Sequence, residues 1–223
     1  MLLILAIDIM GGIVVHGARG ERASYTPLTW GLSSSAEPVK YVTKIAPEYI
    51  YIADLDRIMG RASNDCVITE CAELVQKCYV DRGCRTPADF LDSDHIINVI
   101  GTETGGDDMS VYNSGFLSVD IKDGRVIPYG KDPIKVLTDA NTKSFDGCII
   151  LNLGSVGTES GIDLKNAGRM RDAFKKSLFY GGGVSSEDDL YALKDAGFDG
   201  AIISTALHRG NIPLEWIRRG KIC

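Results

Sequence analysis

Short aliphatic runs recur along the chain, and each ends near a turn that contains a glycine or a charged residue. Such runs are typical of parallel strands that are covered on both faces. They predict eight strands, at residues 2–9, 49–54, 77–81, 96–100, 116–120, 147–153, 178–181 and 201–204. A further extended segment is predicted at residues 13–16, after the turn that follows the first strand.

Segments with apolar residues at helical spacing separate most of the predicted strands. In one of them, Ser186 is placed to cap a helix whose acidic first turn complements the helix dipole. Helices are also predicted from residues 33–36 onward, at 66–74, over a short stretch at 87–91, at 104–112, from 133 onward, at 164–174 and at 214–219. Strands that alternate with helices indicate the α/β class.

The two halves of the chain resemble each other. The first predicted strand ends at Asp8 and the fifth at Asp120, about half of the 223 residues apart, and a glycine-containing turn follows each. Residues 80–90 are weakly similar to 180–190. Residues 99–102 match 202–205, and residues 51–55 correspond to 149–153. Two halves of four strand–helix units predict a TIM (β/α)8 barrel with a two-fold half-barrel repeat, forming one domain over residues 1–223. The alternative is chance similarity between short aliphatic runs.

The composition narrows the classes of partner and cofactor. The formal net charge is −6 with acidic and basic residues interspersed, so neither nucleic acid nor a membrane is expected as a partner. The first residues lack the basic segment and cleavage site of a signal peptide, which favours a cytoplasmic protein. The six cysteines have no metal-knuckle spacing, so they are predicted to be free thiols with no metal site. The protein is expected to be a monomer or a small homo-oligomer.

Asp8 and Asp120 are the candidate catalytic residues. In a (β/α)8 barrel the active site lies at the carboxyl ends of the strands, and strands one and five stand opposite each other. Two carboxyl groups that face each other across the mouth of a barrel are suited to act as an acid–base pair on one substrate. The alternative is that both aspartates form salt bridges that support loops.

A phosphate site is predicted near the ends of strands seven and eight. Gly182 and Gly183 allow backbone N–H groups to approach an anion, and Ser204 and Thr205 follow the eighth strand. The equivalent segment of the first half contains Gly83 and Arg85, which Gly101 and Thr102 would support. That segment is either a second phosphate site or an ordinary salt-bridged turn.

With these motifs, nearly the whole chain resembles the histidine-biosynthesis barrel family. This family contains the phosphoribosylformimino-aminoimidazole carboxamide ribotide isomerase and the cyclase subunit of imidazole glycerol phosphate synthase. The matching segments are Ala6-Ile7-Asp8, Ala53-Asp54-Leu55-Asp56, Gly83-Cys84-Arg85, Ile100-Gly101-Thr102, Val119-Asp120 and Gly182-Gly183-Val184-Ser185. The resemblance implies an Amadori rearrangement of an aminoaldose phosphate to an aminoketose, without cofactor or metal. One of the two aspartates would protonate the ring oxygen and one would remove the C2 proton. Asp54 and His16 would then be substrate-binding positions.

Several residues depart from the family pattern. His16 stands where family members carry Arg or Lys, and Asn152 and Val156 lie in the sixth-strand segment where the isomerase carries a threonine and two aspartates. Activity on the isomerase's standard substrate is therefore expected to be low or absent. Asp81 and Arg82 replace glycines of the third-strand turn. These departures indicate a divergent relative that acts on a phosphorylated small molecule, with Asn152 among the residues that contact it. A cyclase or lyase of another pathway, and a protein that only binds phosphorylated metabolites, stay open as alternatives.

Overall fold

A computed structural model gives the fold and describes residues 1–106, 108–157 and 161–222. Eight parallel strands form a closed barrel. They are β1 (Leu2–Met10), β4 (Tyr49–Asp54), β5 (Lys77–Asp81), β6 (Ile96–Gly101), β7 (Phe116–Lys122), β9 (Gly147–Asn152), β10 (Ser177–Gly181) and β11 (Gly200–Ile203). Each strand pairs with the next along the chain, and β11 returns to β1 through the pairs Leu2↔Gly200 and Leu5↔Ile203. The predicted (β/α)8 barrel is therefore confirmed, with each of the eight strands within two residues of its predicted bounds.

The register of the strands repeats between the two halves. Asp8 pairs with Ala53, and Asp120 pairs with Leu151. Ala53 in turn pairs with Asp81, and Leu151 pairs with Gly181. The three equivalences, 8 with 120, 53 with 151 and 81 with 181, are those that the half-chain similarity predicts.

Three short strands extend the barrel at the mouth. They are β2 (Ile13–His16), β3 (Thr26–Pro27) and β8 (Arg125–Val126). β2 folds back antiparallel on β1 so that Val15 pairs with Asp8, and β8 folds back on β7 in the same way. Each half of the barrel therefore begins with a hairpin next to its strand-end aspartate.

Helices cover the outside of the barrel. They are α1 (Pro38–Ile45), α2 (Leu55–Ile58), α3 (Asp65–Ala72), α4 (Pro133–Ala140), α5 (Leu164–Ala173), α6 (Glu187–Asp195), α7 (Thr205–His208) and α8 (Leu214–Arg218). The Ser186 side chain accepts a hydrogen bond from the backbone N–H of Asp189, so the predicted cap is confirmed. Asp132 caps α4 in the same manner, next to a proline at the start of the helix.

One predicted helix start and one predicted helix were wrong, although the helix predicted to begin at residues 33–36 does form as α1. Residues 33–36 form no helix, because α1 begins only at Pro38, whose fixed φ suits the first helical turn. In the predicted helix at 104–112, the described residues form only a short 3-10 helix at Met109–Val111. The N–H groups of Thr104 and Gly105 both bond to the carbonyl of Gly101 in a turn, and Gly106 has a φ of +81°, which stops helical propagation.

Aromatic rings fill the interior of the barrel below the mouth. Tyr79, Phe116 and Phe179 meet pairwise with ring centroids 4.9–5.3 Å apart. Glycine is required at two strand starts because of these rings: a Cβ at Gly147 would lie 2.4 Å from the Phe116 ring, and one at Gly200 would lie 2.7 Å from Phe179. The interior is therefore a packed core that leaves space only toward the carboxyl ends of the strands.

The remaining general predictions concern thiols and membranes. Cys66, Cys71, Cys78, Cys84 and Cys148 are free thiols as predicted, and Cys223 lies outside the described residues. None of the helices in the described part of the chain has the length and apolar character that a membrane span needs.

Candidate active site

A pocket opens at the carboxyl ends of the barrel strands and contains about 1080 Å³ of space that is partly open to solvent. Its polar lining comes from both halves of the barrel and from the loop that follows β2. The polar and glycine residues of the lining are Asp8, His16, Gly17, Gly20, Arg22, Tyr25, Tyr51, Asp81, Glu103, Asp120, Gly157, Gly182, Gly183, Ser204 and Thr205.

Asp8 lies at the floor of the pocket near the end of β1 and is half-buried. Desolvation raises the pKa of this carboxyl group to about 6, and the guanidinium of Arg22 acts in the opposite direction. A carboxyl group with this pKa exists in both protonation states near neutral pH, which is what proton transfer to and from a substrate requires.

Asp120 lies across the mouth on β7 and is 3% exposed. Its Oδ1 accepts a hydrogen bond from the Ser118 hydroxyl at 2.6 Å, and its Oδ2 accepts from Thr102 Oγ1 and from the backbone N–H of Glu103, each at 3.2 Å. Burial raises the pKa of Asp120 to about 6, although the hydrogen bonds from Ser118 and Thr102 favour the ionised form. These contacts hold the carboxyl group in one orientation toward the pocket.

A third buried acid, Asp81, lines the same pocket at the end of β5. Its Oδ1 accepts a hydrogen bond from the N–H of Gly83 at 3.0 Å, and its Oδ2 accepts one from the Tyr51 hydroxyl at 3.3 Å. A Cβ at Gly101 would stand 3.1 Å from Oδ2 of both Asp81 and Asp120, so glycine at this position makes room for two carboxyl groups. Burial and the neighbouring Asp120 raise the pKa of Asp81 to about 7.

Arg22 and Glu103 form an ion pair over the acidic side of the mouth. The two guanidinium nitrogens donate to the two carboxylate oxygens at 2.8 and 2.5 Å, which connects the loop after β2 with the loop after β6. Bidentate pairs of this kind fix the geometry of both side chains. In the described part of the chain, no group of three or more His, Cys, Asp or Glu side chains is arranged to hold a metal ion.

Glycines shape the opposite side of the pocket. Gly182 and Gly183 have φ values of +94° and +87°, which side-chain-bearing residues rarely adopt. A Cβ at Gly182 would lie 2.3 Å from the carbonyl oxygen of Asn152, so the turn fits closely against the neighbouring strand end. This turn and the segment Ser204–Thr205 line the same pocket.

His16 lines the mouth beside this glycine-rich side. Its ring packs edge-on against Trp30 with centroids 5.1 Å apart. Burial, and secondarily the positive charge of Arg209, lower the pKa of His16 below its ordinary value. The imidazole is therefore neutral above pH 7, and it offers hydrogen bonds to a ligand rather than a permanent positive charge.

The pocket brings together seven of the thirteen predicted site residues: Asp8, His16, Asp120, Gly182, Gly183, Ser204 and Thr205. The other six do not line it. Asp54 is fully buried and accepts hydrogen bonds from Arg57 and Asn64, so it caps α2 instead of contacting a ligand. Asn152 lines a neighbouring cavity outside the strand ends. Thr102 and Gly101 stand behind Asp120, and Gly83 and Arg85 belong to the turn after β5.

Sequence reasoning missed several residues of the pocket. In the sequence Asp81 is a departure from the family pattern, but it is not predicted to be a pocket carboxyl group. Its equivalence with Gly181, next to the predicted phosphate site, could have indicated its place in the pocket. Glu103 and Tyr51 lie outside the matched motifs, and their place in the pocket depends on loop conformation and on strand orientation.

Comparisons with known proteins agree on the family. A family model described as "Histidine biosynthesis protein" matches residues 2–213. An uncharacterized protein of Methanocaldococcus jannaschii is 31% identical over 226 residues, covering 97% of each chain. The 1-(5-phosphoribosyl)-5-((5-phosphoribosylamino)methylideneamino) imidazole-4-carboxamide isomerase of Methanosphaera stadtmanae is 25% identical, covering 96% of this chain and 97% of its own. The isomerase of the same name from Methanothermobacter thermautotrophicus is 28% identical, covering 96% of each chain.

Proposed function

The chain belongs to the histidine biosynthesis protein family, and on this premise we propose that it is an isomerase that converts a phosphorylated aminoaldose into an aminoketose. Relatives at 25–28% identity that align over nearly their whole length carry the name of such an isomerase. The observation that carries the proposal is the pair Asp8 and Asp120, which line one pocket from opposite strands and both have a pKa of about 6.

The rearrangement needs one proton donor and one proton acceptor at the same time. The donor protonates the ring oxygen of the aminoaldose, the bond between this oxygen and C1 breaks, and the nitrogen lone pair forms a C=N bond. The acceptor then removes the proton from C2, and the electrons of that bond form a C1=C2 enaminol. Protonation at C1 and loss of the C2 hydroxyl proton give the ketone, so no atom or electron is gained or lost.

Two carboxyl groups with nearly equal pKa values are suited to this sequence. Near pH 6 the most populated state has one proton on the pair, so one group is ready to donate while the other is ready to accept. The hydrogen bonds to Asp120 from Ser118, Thr102 and Glu103 hold that group in place, and Arg22 above Asp8 stabilises its ionised form. Which of the two acts first on the ring oxygen depends on the direction in which the sugar binds.

We propose that the substrate's phosphate lies on the glycine-rich side. Backbone N–H groups at Gly182 and Gly183, together with Ser204 and Thr205, would hold it. Unlike the region around Asp81, the described residues that line this side of the pocket include no carboxylate that would repel an anion. A phosphate there would orient C1 and C2 of the sugar over the barrel axis, between Asp8 and Asp120.

The test is ketose formation by the purified chain. Ribose 5-phosphate and aniline condense to N-phenyl ribosylamine 5-phosphate, a simple phosphorylated aminoaldose whose conversion to the ketose NMR follows directly. We expect the protein to accelerate this conversion over the protein-free solution. Binding of the probe without any acceleration would instead favour a protein that only binds phosphorylated metabolites.

A further inference from the structure

Asp81 and Gly181 occupy equivalent positions in the two halves of the barrel. Asp81 pairs with Ala53 and with Val99, and Gly181 pairs with Leu151 and with Ile202, which are the corresponding residues of the other half. Each strand end is followed by a glycine at positive φ, Gly83 at +65° and Gly183 at +87°. The two turns therefore have the same place relative to the mouth.

The turns that follow β5 and β10 share a backbone hydrogen bond to an aspartate. In the first half the backbone N–H of Arg85 donates to Asp89 at 2.8 Å, and in the second the N–H of Ser185 donates to Asp189 at the same distance. These carboxylates cap the following helical turns and do not distinguish the halves. The two halves differ at the last residue of the strand, which is Asp81 in the first half and Gly181 in the second.

In the second half the strand end has no side chain, because residue 181 is glycine. In the first half the Asp81 carboxyl group occupies this region and accepts the N–H of Gly83, the donor equivalent to that of Gly183. The next residue, Arg82, is no free cation for a ligand: the residue is 6% exposed, and its guanidinium donates to both oxygens of Asp65 at 2.6 Å. Arg85 donates to the carbonyl of Gly83 within the same turn.

We propose that Asp81 is a specificity-determining residue that makes the first-half turn unavailable to phosphate and restricts the enzyme to substrates with a single phosphate group. The proposal rests on the proposed function, since it takes the phosphate to lie at Gly182 and Gly183. Asp81 acts in two ways: its carboxylate repels an anion at the mouth, and it already uses the backbone donor of Gly83. Asp120, whose Oδ2 converges with that of Asp81 beside Gly101, adds to the repulsion.

This restriction would separate the chain from its named relatives. Their name describes a substrate that carries two 5-phosphoribosyl groups, one at each end. A substrate of that kind places an anion at both turns. In this chain one of those turns contains an acid, so the end of the substrate that lies there would be uncharged or hydroxyl-bearing.

The experiment compares molecules that differ by one phosphate. Calorimetric titration at pH 8, where Asp81 is ionised, measures the Kd of the relatives' bis-phosphoribosyl substrate and of its two monophosphate forms, which limited phosphatase treatment produces. Isomerisation during the titration leaves the number of phosphates unchanged, so turnover does not affect the comparison. We expect the unmutated protein to bind the better monophosphate at least as tightly as the bisphosphate.

Variants of Asp81 provide the second part of the experiment. Asp81→Gly should shift the ratio of the two affinities toward the bisphosphate by at least 10-fold, and Asp81→Asn, which keeps the side-chain volume, by at least 3-fold. Asp139→Asn removes the same charge on the exposed surface of α4 and should not change the ratio. A 10-fold preference of the unmutated protein for the bisphosphate, or an unchanged ratio in both Asp81 variants, would overturn the proposal.

The outcomes also separate this proposal from the proposed function. Monophosphate binding without ketose formation would contradict the isomerase and leave the restriction standing. Ketose formation with tighter binding of the bisphosphate would contradict the restriction and leave the isomerase standing. Absence of binding by every one of the three probes would contradict the restriction, whereas the isomerase is judged by ketose formation from N-phenyl ribosylamine 5-phosphate.

Discussion

Thr102 and Asp120 exchange two hydrogen bonds: the threonine Oγ1 accepts from the backbone N–H of Asp120 at 3.0 Å and donates to its Oδ2 at 3.2 Å. One hydroxyl group therefore fixes both the backbone and the carboxyl group of a proposed catalytic residue. Thr102 does not line the pocket, so it acts through Asp120 as a positioning residue.

Thr102→Val should lower kcat by roughly 10- to 100-fold, since a hydrogen bond to a charged group contributes about 1.5–3 kcal/mol. The hydrogen bond from Thr102 lowers the pKa of Asp120, so its loss should also move the pH dependence of the reaction to higher pH. Thr102→Ser keeps the hydroxyl group and is the matched control. An unchanged pH profile in Thr102→Val would show that the contact is merely structural.

The pH dependence of the unmutated enzyme follows from the pKa values of about 6 for Asp8 and Asp120. Only the state with a single proton on the pair is active, so kcat/KM should form a bell with its maximum near pH 6. It falls at lower pH because both groups are protonated, and at higher pH because both are ionised. The titration of the substrate phosphate is measured by phosphorus NMR and corrected for. A profile without an alkaline decline would contradict the acid–base pair.

The buried carboxyl group of Asp81 should make stability depend on pH. Its pKa is raised in the folded protein from the ordinary value of 3.8 to about 7, so its contribution to stability is fully present below the ordinary value and is lost as the pH rises from there to about 7. Asp81→Asn removes this loss, so at pH 8 the variant should be more stable than the unmutated protein by roughly 1–3 kcal/mol.

Urea denaturation at pH 5 and pH 8 measures this difference. The difference between the two proteins should be smaller at pH 5 than at pH 8, because at pH 5 the carboxyl group is ionised in the unfolded chain but still protonated in the folded protein, so only part of the stability is lost. Asp139→Asn, with its exposed side chain, should show no difference that depends on pH in this range. Equal stability of Asp81→Asn and the unmutated protein at both pH values would mean that Asp81 is not held at a raised pKa.

The substrate named for the relatives should be a poor substrate for this chain. The expectation from the sequence was based on Asn152, Val156 and His16. In the structure Asn152 does not line the pocket, whereas Val156, His16 and Asp81 do. The expectation therefore depends on these three residues. Loss of a charged contact in a desolvated site costs about 2–5 kcal/mol, which corresponds to roughly 30- to several-thousand-fold in rate.

Two experiments measure activity on that substrate directly: an assay of the purified protein, and rescue of a bacterium that lacks the isomerase. We expect little or no turnover and no growth without added histidine. Full turnover together with growth would show that the departures from the family pattern do not alter the substrate.

Much of the fold could be predicted from the sequence because strand ends carry strong local signals. Aliphatic runs bounded by glycine or acidic residues gave all eight barrel strands, and the repeat of Asp8 at Asp120 gave their arrangement. The family resemblance drawn from these motifs is confirmed by the match over residues 2–213. The predicted helix start at residues 33–36 and the predicted helix at 104–112 failed because prolines and glycines decide helix boundaries more strongly than apolar spacing does.

The pocket was harder to predict than the barrel. Asp54 is the last residue of β4, whereas Asp8 lies two residues before the end of β1. Asp54 leaves the strand at φ −83° and ψ 87° and turns its carboxyl group into the cap of α2. Asn152, its equivalent in the other half, has nearly the same backbone angles and also faces away from the mouth. Strand alternation places side chains on opposite faces, so a shift of one residue decides whether an acid lines the pocket.

The central claim is that Asp8 and Asp120 together move the C2 proton of a phosphorylated aminoaldose. The most direct measurement uses N-phenyl ribosylamine 5-phosphate with deuterium at C2 and follows cleavage of the C2–D bond by NMR. The unmutated protein should cleave it faster than the protein-free solution, and Asp8→Asn and Asp120→Asn should each lose about 10²- to 10⁴-fold in rate. Both variants should remain folded by circular dichroism, with Asp139→Asn as the fully active control. No cleavage by the unmutated protein, or more than a tenth of its rate in either variant, would contradict the account.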